Sequence, residues 1–438
     1  MKNLRLSVIA IVFSLFMLPS AYAVEVSEVI SPGGIKAWLV QDKSLGVTAI
    51  EFAFVGAGAE MDPKGLEGLA SMTSSLIDEG AGSIDSRTFQ AKLNDLSITL
   101  RYSARLDSFG GSFYTLNRYR DEAVDLLRLS LNEPRFDEEP VSRIRNQTIV
   151  GIKHSETNPN SINSQKLWAD LFPNHHYGRP TEGSVESVTA IKTDDMRQFV
   201  KKAFNRDSLV VGVVGDITPD ELGVILDKAF GGLPKGDGMP TPHPITPSLS
   251  GKTTIVEMDV PQSVIAFAQG GIARDDKDFY AAYVLNHMLG GGGFASRLTS
   301  EIREKRGLAY SVYSHLYGMD DAPLWVGGAA TQNARAGETI ALIKSEWQRM
   351  MDAGVGLGEL TDAKTYLTGA YPLRFTNSKN IAGMLVSMQR QDLGLDYFDQ
   401  RNTFIEAITQ EDINRVAKRL MKPESLTIVV VGKPAGLE

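Results

Sequence analysis

The sequence predicts an α+β fold with two homologous domains, each an antiparallel sheet that has helices packed on one face. Three observations support this prediction. The ends of the two halves resemble each other, a proline- and glycine-rich stretch separates the halves, and strand-like runs at matching places are each followed by a helix-like run. Duplication of one structural unit accounts for all three observations.

The repeat is clearest where each half ends. The segment DDMRQFVKKAFNRDSLVVGVVGDI begins at residue 194, and EDINRVAKRLMKPESLTIVVVGKP begins at residue 411. Each predicts an amphipathic helix, a polar turn and a continuous apolar strand. The same offset aligns VTAIEFAFVGAG (47–58) with VIAFAQGGIAR (264–274), and predicted helices follow in EGLASMTSSLIDEG and FYAAYVLNHMLGGG.

Between these segments the hydrophobic pattern predicts further helices and one hairpin. The helices are expected at residues 87–96, 117–133, 138–154, 336–354, 361–374 and 379–393. Residues 97–116 alternate in the manner of a β-hairpin.

The main break in composition is GLPKGDGMPTPHPITPSLSGK, residues 232–252. Such proline-rich stretches are stiff and extended, as in linkers between domains. The expected division is an N-terminal domain at 24–233, a linker at 234–252 and a C-terminal domain at 253–438.

The first 23 residues predict a signal peptide. Lys2 and Arg5 precede an apolar run, and AYA at 21–23 forms a cleavage site of small residues. We therefore expect cleavage after Ala23 and a mature chain in the periplasm. An uncleaved membrane anchor is the alternative, although the apolar run is short for a spanning helix.

Composition excludes several classes of function. The chain has no cysteine, so an exported form must be stable without disulfides. Its net charge of −8 becomes more negative by two when Lys2 and Arg5 are removed. Such a surface has no general attraction to nucleic acid or anionic lipid. No later stretch is apolar enough to span a membrane.

The string GGGGFASRLTSEIREKRGLAYSVYS, which begins at Gly290, resembles the pitrilysin/insulysin family of zinc peptidases. This family also includes mitochondrial processing peptidase. The duplicated unit and the proline-rich linker agree with the resemblance, which covers nearly the whole mature chain. In that family the first half carries H-x-x-E-H on a helix, with two zinc-binding histidines and a glutamate as general base. Another glutamate farther along the chain completes the zinc site.

The matching string in this chain, GLASMTSSL, has none of these side chains. Ser71 and Ser75 occupy the histidine positions, Ser74 occupies that of the base, and Gly151 that of the later glutamate. Zinc binds imidazole, thiolate or carboxylate groups, so the resemblance implies no metal in this site. His154 is an alternative ligand, but it lacks a second histidine at helical spacing.

The remaining histidines are His175, His176, His243, His287 and His315. The adjacent pair His175 and His176, in NHHYGRP, is interpreted as a loop with a packed aromatic, because neighbouring side chains on a chain point apart. No histidine is therefore predicted to bind metal.

The second half retains residues that match the family. In catalytic members an arginine and a tyrosine seven positions apart reach the zinc site from the other half of the assembly, and Arg303 and Tyr310 match them. A tyrosine hydroxyl can donate to an oxyanion, and arginine can hold a carbonyl or carboxylate. Gly307 is expected to end the helix that carries Arg303.

On the following strand, Tyr310, Val312 and Ser314 are expected to share one face. The alternative interpretation makes the pair purely structural. Arg303 would then pair with a nearby carboxylate, Glu301 or Glu304, and Tyr310 would belong to the core.

The glycine run consists of Gly290, Gly291, Gly292 and Gly293. We predict that these residues bind substrate, because a backbone without side chains can approach a bound peptide closely. A flexible loop between helices is the alternative.

The sequence therefore predicts the metal-free subunit of a periplasmic heterodimeric peptidase, inactive alone, whose zinc-bearing homologous partner supplies H-x-x-E-H. The chain itself would bind no cofactor and would contribute Arg303 and Tyr310 to the cleavage of unfolded peptides. One alternative is a non-enzymatic, chaperone-like homodimer that binds peptides. Another is a self-sufficient metallopeptidase with unorthodox ligands.

Overall fold

The computed structural model describes residues 24–437, so the predicted signal peptide lies outside the described residues. Two large sheets and one small sheet organise this part of the chain. The strands, in chain order, are β1 (Ser27–Ile30), β2 (Lys36–Gln41), β3 (Val47–Val55), β4 (Gly80–Ala81), β5 (Ile84–Asp85), β6 (Thr99–Ala104), β7 (Ser108–Leu116), β8 (Leu209–Gly215), β9 (Thr253–Glu257), β10 (Gln262–Gly270), β11 (Ala309–Tyr317), β12 (Leu324–Gln332) and β13 (Thr427–Gly432).

Helices alternate with the strands in both halves. They are α1 (Leu69–Ser74), α2 (Ser86–Asp95), α3 (Arg120–Asn132), α4 (Glu138–Ser155), α5 (Pro159–Leu171), α6 (Val185–Ala190), α7 (Thr193–Ala203), α8 (Pro219–Phe230), α9 (Phe279–Asn286), α10 (Ala336–Ala353), α11 (Leu357–Gly369), α12 (Ser378–Arg390), α13 (Tyr397–Glu406) and α14 (Gln410–Leu420). Within residues 24–437, no helix combines the length and apolarity needed to cross a membrane.

The two large sheets repeat one topology. The first has the strand order β1-β2-β8-β3-β7-β6, and the second, taken from the equivalent edge, has the order β9-β13-β10-β12-β11. In each sheet the last strand of the half is inserted centrally. Strand β8 pairs in parallel with β2 and antiparallel with β3, and β13 does the same with β9 and β10. The predicted α+β fold of two homologous units is confirmed.

Each sheet has its own helices and hydrophobic core on one face. In the first half the rings of Phe54 and Phe204 stack at 4.6 Å between centroids. In the second half Trp347 packs against Trp325 at 5.9 Å and against Phe267 at 5.3 Å. All five side chains are almost fully buried, so both halves contain the apolar core that the repeated pattern predicts.

The opposite face of each sheet is covered by a helix from the other half. Helix α5 packs on β10 and β13, and α12 packs on β3 and β8. From α5, the buried Asn163 donates hydrogen bonds to the carbonyl oxygens of Val264 at 2.8 Å and Val429 at 2.9 Å. From α12, Gln389 donates to the carbonyl oxygen of Val211 at 2.8 Å. Strands β8 and β13 are thus buried on both faces, which explains their continuously apolar sequences.

Helix boundaries differ from expectation at places that bear on the site. The helix predicted at 67–80 is limited to α1 and is followed by turns. Helix α9 changes into a π-helical turn, His287–Gly291, before the glycine run ends. Helix α5 carries no clear apolar stripe in its sequence, PNSINSQKLWADL, and the sequence pattern does not predict it.

Residues 234–252 contain neither helix nor strand and lie along the junction of the two halves. The backbone amide of His243 donates to Oδ1 of Asp321 at 2.6 Å, and that of Ile245 donates to the carbonyl oxygen of Asp321 at 2.9 Å. We propose that this segment is the linker between domains at 24–233 and 253–438.

Candidate functional site

The three serines at the positions of the family's H-x-x-E-H motif lie on or next to α1. The hydroxyl of Ser74 donates to the carbonyl oxygen of Ser71 at 2.7 Å, and the hydroxyl of Ser75 donates to the same oxygen at 3.2 Å. Such local bonds satisfy hydroxyl groups within a helix. Two of the three hydroxyls are therefore directed at the helix backbone.

The start of α1 is held by a buried carboxylate. Asp62 accepts hydrogen bonds from the backbone amides of Gly68 at 2.8 Å and Ala70 at 2.9 Å. Burial raises the pKa of Asp62 to about 6, although these two amides act in the opposite direction. Gly68 has a φ of 93°, in the left-handed region that favours glycine. The carboxylate of Asp62 and the left-handed conformation of Gly68 thus fix the start of this helix.

Gly151, at the position of the later glutamate, lies inside α4 and is exposed. A side chain built at this position would meet no other atom within 4 Å. Glycine is therefore not required there by packing, and it offers no ligand to a metal.

Arg303 and Tyr310 come together on the surface of the second half. Tyr310 is 82% exposed. The guanidinium carbon of Arg303 lies 4.6 Å from the ring centroid of Phe294 and 4.8 Å from that of Tyr310. Such cation–π contacts at exposed sites contribute about 0.5–1 kcal/mol each. Two aromatic rings therefore hold the arginine in place.

The purely structural interpretation of this pair does not fit its surroundings. Tyr310 lies outside the core. The carboxylate of Glu301 accepts from Lys305 at 2.6 Å and from Arg306 at 2.7 Å. Among residues 24–437 no carboxylate forms an ion pair with Arg303. The guanidinium group is thus available to contact another molecule.

A β-bulge gives Tyr310 its outward direction. Along β11 the pairing with β12 changes register between Ala309 and Val312. Val312 and Ser314 are buried, whereas Tyr310 is exposed, so the expectation that these three side chains share one face is wrong. The bulge adds one residue to the strand, and bulges re-aim side chains in this way.

The glycine run packs against the protein itself. A Cβ atom at Gly290 would lie 2.5 Å from Oγ of Ser314, and one at Gly291 would lie 2.6 Å from Nδ2 of Asn286. At Gly292 the nearest atom, the carbonyl oxygen of His287, would be 2.8 Å away. Gly293 has a φ of 59°. These contacts explain the glycines without a flexible loop, and their contact with a peptide stays a prediction.

A groove between α5 and β11 is a feature that the sequence pattern does not reveal, since α5 itself is not predicted. Two adjoining cavities of about 590 and 420 Å³ share Trp168 and Tyr317 in their walls. The rings of these residues meet edge to face at 5.5 Å. Tyr313 and His315 line the second cavity. Strand β11 is an edge strand of the second sheet, so its outer side pairs with no other strand within residues 24–437.

The adjacent histidines contradict the expectation that their side chains point apart. The rings of His175 and His176 lie 3.8 Å apart between centroids. Both rings contact Tyr177, which is buried, so the predicted packing against an aromatic is present. Glu60 from the turn Ala59–Met61 and Asp107 from the β6–β7 turn lie beside His176, with one ligand atom of each residue within 4.8 Å of the others.

Two family models match the chain. The model described as insulinase (peptidase family M16) matches residues 47–185, and the model described as peptidase M16 inactive domain matches residues 190–367. Together they cover most of the chain.

Individual proteins are similar along nearly the whole chain. The non-peptidase homolog YmxG of Helicobacter pylori is 27% identical over 382 residues, which are 87% of this chain and 88% of that protein. The crystal structure of a peptidase M16 inactive domain from Pseudomonas fluorescens has a TM-score of 0.87 at 26% identity and covers 94% of this chain and 99% of its own. The periplasmic protease PqqL of Escherichia coli shares the fold, with a TM-score of 0.78 at 15% identity, over 94% of this chain and 46% of its own.

Proposed function

The chain belongs to the insulinase (peptidase M16) family as a homologue that lacks the family's metal-binding side chains, and from this premise we propose that it is the metal-free subunit of a heterodimeric peptidase in the periplasm. The partner is a homologous subunit that carries H-x-x-E-H and zinc. This chain contributes Arg303, Tyr310 and one half of a chamber for unfolded peptides. Alone, it is inactive.

The exposed pair of Arg303 and Tyr310 is the observation that carries this proposal. A buried tyrosine and an ion-paired arginine would be explained by their contribution to the stability of the fold. Instead Tyr310 is 82% exposed, and Arg303 is held by two rings without a carboxylate partner within residues 24–437. Fixed donors on an open surface are suited to a ligand or to the active site of a partner.

The chemistry of the two side chains fits peptide cleavage. A zinc ion held by the partner would supply an activated water for attack on the peptide bond. The hydroxyl of Tyr310 donates a hydrogen bond to the oxygen of the attacked carbonyl as negative charge develops there. The guanidinium group of Arg303 orients a neighbouring carbonyl or the carboxylate of the peptide. Because Phe294 and Tyr310 flank the guanidinium group, little freedom is lost when the peptide binds.

The groove between α5 and β11 supports peptide binding next to this pair. An extended peptide can add to an exposed edge strand through main-chain hydrogen bonds, and pockets then receive alternate side chains. Strand β11 offers such an edge, and Trp168, Tyr313 and Tyr317 offer apolar surface beside it. The binding of unfolded rather than folded chains follows from this mode.

The expected location in the periplasm has two supports. The first is the predicted signal peptide with cleavage after Ala23. The second is the fold shared with a periplasmic protease of Escherichia coli.

Reconstitution of the two subunits tests the proposal. The mature chain, 24–438, is combined with the zinc-bearing homologue that co-purifies with it from the native periplasm. We expect a one-to-one complex that cleaves a quenched fluorescent peptide, whereas neither subunit does so alone. A partner that is fully active by itself, and unaffected by this chain, would contradict the proposal.

A peptide-binding homodimer without enzymatic activity is the second candidate, and the aromatic groove is the observation that favours it. In that case the mature chain alone would form dimers and would suppress aggregation of unfolded polypeptides. Trp168→Ala would weaken this effect, and Arg303→Ala would not.

A further inference from the structure

Several turns meet at the junction of the two halves and bring acidic and histidine side chains together. The turn Ala59–Met61 carries Glu60, the turn between β6 and β7 carries Asp107, and the turn His176–Gly178 begins with His176. One ligand atom from each of these three side chains lies within 4.8 Å of the other two. These residues are far apart in the sequence, and only the fold places them in one group.

Each of the three side chains has a buried polar atom without a hydrogen-bond partner in residues 24–437. The atoms are Oε1 of Glu60, Oδ1 of Asp107 and Nε2 of His176. Asp107 is only 7% exposed. Buried polar atoms are normally paired, and an unpaired one requires an explanation such as an ion or water. Three side chains that each have an unpaired buried atom, and whose ligand atoms lie within 4.8 Å of one another, indicate a bound group that accepts lone pairs.

The negative charge of this region also favours a bound cation. Asp320 and Asp321, from the turn between β11 and β12, add two carboxylates to those of Glu60 and Asp107. Arg390 contacts Asp320 at 3.4 Å. Within the described part of the chain, no ion pair reaches Glu60 or Asp107.

The neighbours of His176 hold its ring in place. The ring lies 3.8 Å from that of His175 and 4.5 Å from that of Tyr177. Nδ1 of His175 accepts from the backbone amide of Tyr177 at 3.3 Å, and Asp321 accepts from the amide of His243. The ring contacts with His175 and Tyr177 therefore restrict the orientation of His176.

We propose that Glu60, Asp107 and His176 bind one zinc ion and that the ion ties together the three turns that carry them. Imidazole nitrogen and carboxylate oxygen are zinc donors, and three protein ligands leave one position for water. Ligand atoms about 2.0–2.2 Å from zinc are about 3.4 Å from one another. Small side-chain rotations would therefore bring the ligand atoms from their present separation, at most 4.8 Å, to the distance that zinc requires. The role is structural and is independent of Arg303 and Tyr310, so the proposed subunit still has no catalytic metal at the H-x-x-E-H positions, while His176 binds a structural ion against the sequence-based expectation.

Zinc binding by the untagged mature chain tests this site. After treatment with EDTA and dialysis, calorimetric titration with zinc is expected to give one equivalent per chain. Asp107→Asn and His176→Gln should each weaken binding by at least about tenfold. His154→Gln and Glu138→Gln change an exposed histidine and an exposed carboxylate on α4, and they should leave binding unchanged. Zinc should raise Tm by about 3 °C in the wild type and in these two controls only.

Cobalt provides a second readout that does not depend on stability. The visible spectrum of bound Co²⁺ reports coordination by nitrogen and oxygen, and it should disappear in the His176→Gln chain. Circular dichroism verifies the fold of each variant, and Glu60→Gln replaces any variant that fails to fold. The proposal is overturned if the wild type takes up no zinc, or if either folded ligand variant binds it as tightly as the controls do.

Discussion

Apart from the extra edge strand β1, the two halves have the same strand order, but they differ in what their surfaces offer at the family's site. In the first half the hydroxyls of Ser74 and Ser75 are bonded to the backbone of α1, and Gly151 presents no side chain. In the second half Tyr310 is exposed on a bulged strand, and Arg303 is held against it. The first site is complete in itself, whereas the second has donors that nothing within residues 24–437 uses.

This difference shows that loss of metal chemistry leaves the first half with structural tasks. Helix α5 covers the second sheet and forms one wall of the groove along β11, and α12 covers the first sheet in return. Neither sheet could keep its second face buried without the other half. The first half is therefore required for the groove beside β11, the strand that carries Tyr310.

The largest expected effect tests whether the exposed pair takes part in catalysis. In the reconstituted complex, Tyr310→Phe removes one donor and keeps the ring against Arg303. Loss of one oxyanion donor typically lowers turnover by about two to three orders of magnitude. Assembly and Tm should be nearly unchanged, because the hydroxyl lies on an exposed side chain. Turnover of a quenched fluorescent peptide within about threefold of wild type, far from the typical donor loss, would reject the catalytic role.

Arg303→Ala serves as the companion to that variant. A residue that positions substrate affects KM as well as kcat. An unchanged KM with reduced kcat would instead assign Arg303 to the transition state alone.

The next effect compares the two exchanged helices. Asn163→Ala removes two hydrogen bonds from a buried position, at a cost of about 1–3 kcal/mol. Gln389→Ala removes one bond to Val211 and should cost about 1 kcal/mol. Urea unfolding of the mature chain measures both values. Equal losses would show that α5 and α12 stabilise the junction to the same degree.

The pH dependence of unfolding tests whether Arg303 contributes to the ion pairs around Glu301. Lys305 and then Arg306 lower the pKa of Glu301 to about 2 from the ordinary value of 4.5. This carboxylate stabilises the fold above pH 4.5, and the stabilisation is lost as the pH falls toward 2. Glu301→Gln should therefore destabilise the chain by about 1–2 kcal/mol at pH 7, a value reduced because the cations are partly solvated.

The difference between Glu301→Gln and wild type should decrease steadily between pH 4.5 and pH 2. Arg303→Ala should leave the pH dependence of unfolding as it is in the wild type. If Arg303→Ala instead flattened that dependence, Arg303 would belong to the network around Glu301.

The smallest effect concerns the vacated ligand position. Gly151 lies in the interior of α4, is exposed and has no atom near its missing Cβ. Gly151→Ala should stabilise the chain by about 0.5–1 kcal/mol, since alanine is the better helix former. Thermal or urea unfolding measures the gain in stability. As a contrast, Gly290→Ala should destabilise the chain, because its Cβ atom would clash with Oγ of Ser314. A loss of stability in Gly151→Ala would indicate a contact at this position that packing does not reveal.

The sequence by itself determined the features that repeat or that depend on neighbours along the chain. The apolar runs of β8 and β13 and the helices before them gave the duplicated α+β fold, because local periodicity records burial. Serines at 71, 74 and 75 and glycine at 151 excluded the family's zinc ligands by residue type alone. Arg303, Gly307 and Tyr310 were recognisable because one short string contains them.

The tertiary structure decided where these side chains point and which distant residues join them. The bulge before Val312 turned Tyr310 outward, against the expected alternation, because a local shift in strand pairing has no signature in hydrophobic pattern. The contact between Arg303 and Phe294 was also decided by the tertiary structure. The only signal in the sequence was an aromatic residue directly after the glycine run.

Helix α5 has too few apolar residues for periodicity to reveal it, since it is held by packing on the sheet of the other half. Glu60, Asp107 and His176 lie on three separate turns, and turns carry no periodic pattern. All three turns belong to the first half, and their meeting depends on how that half folds in three dimensions, a long-range arrangement that a linear pattern does not contain.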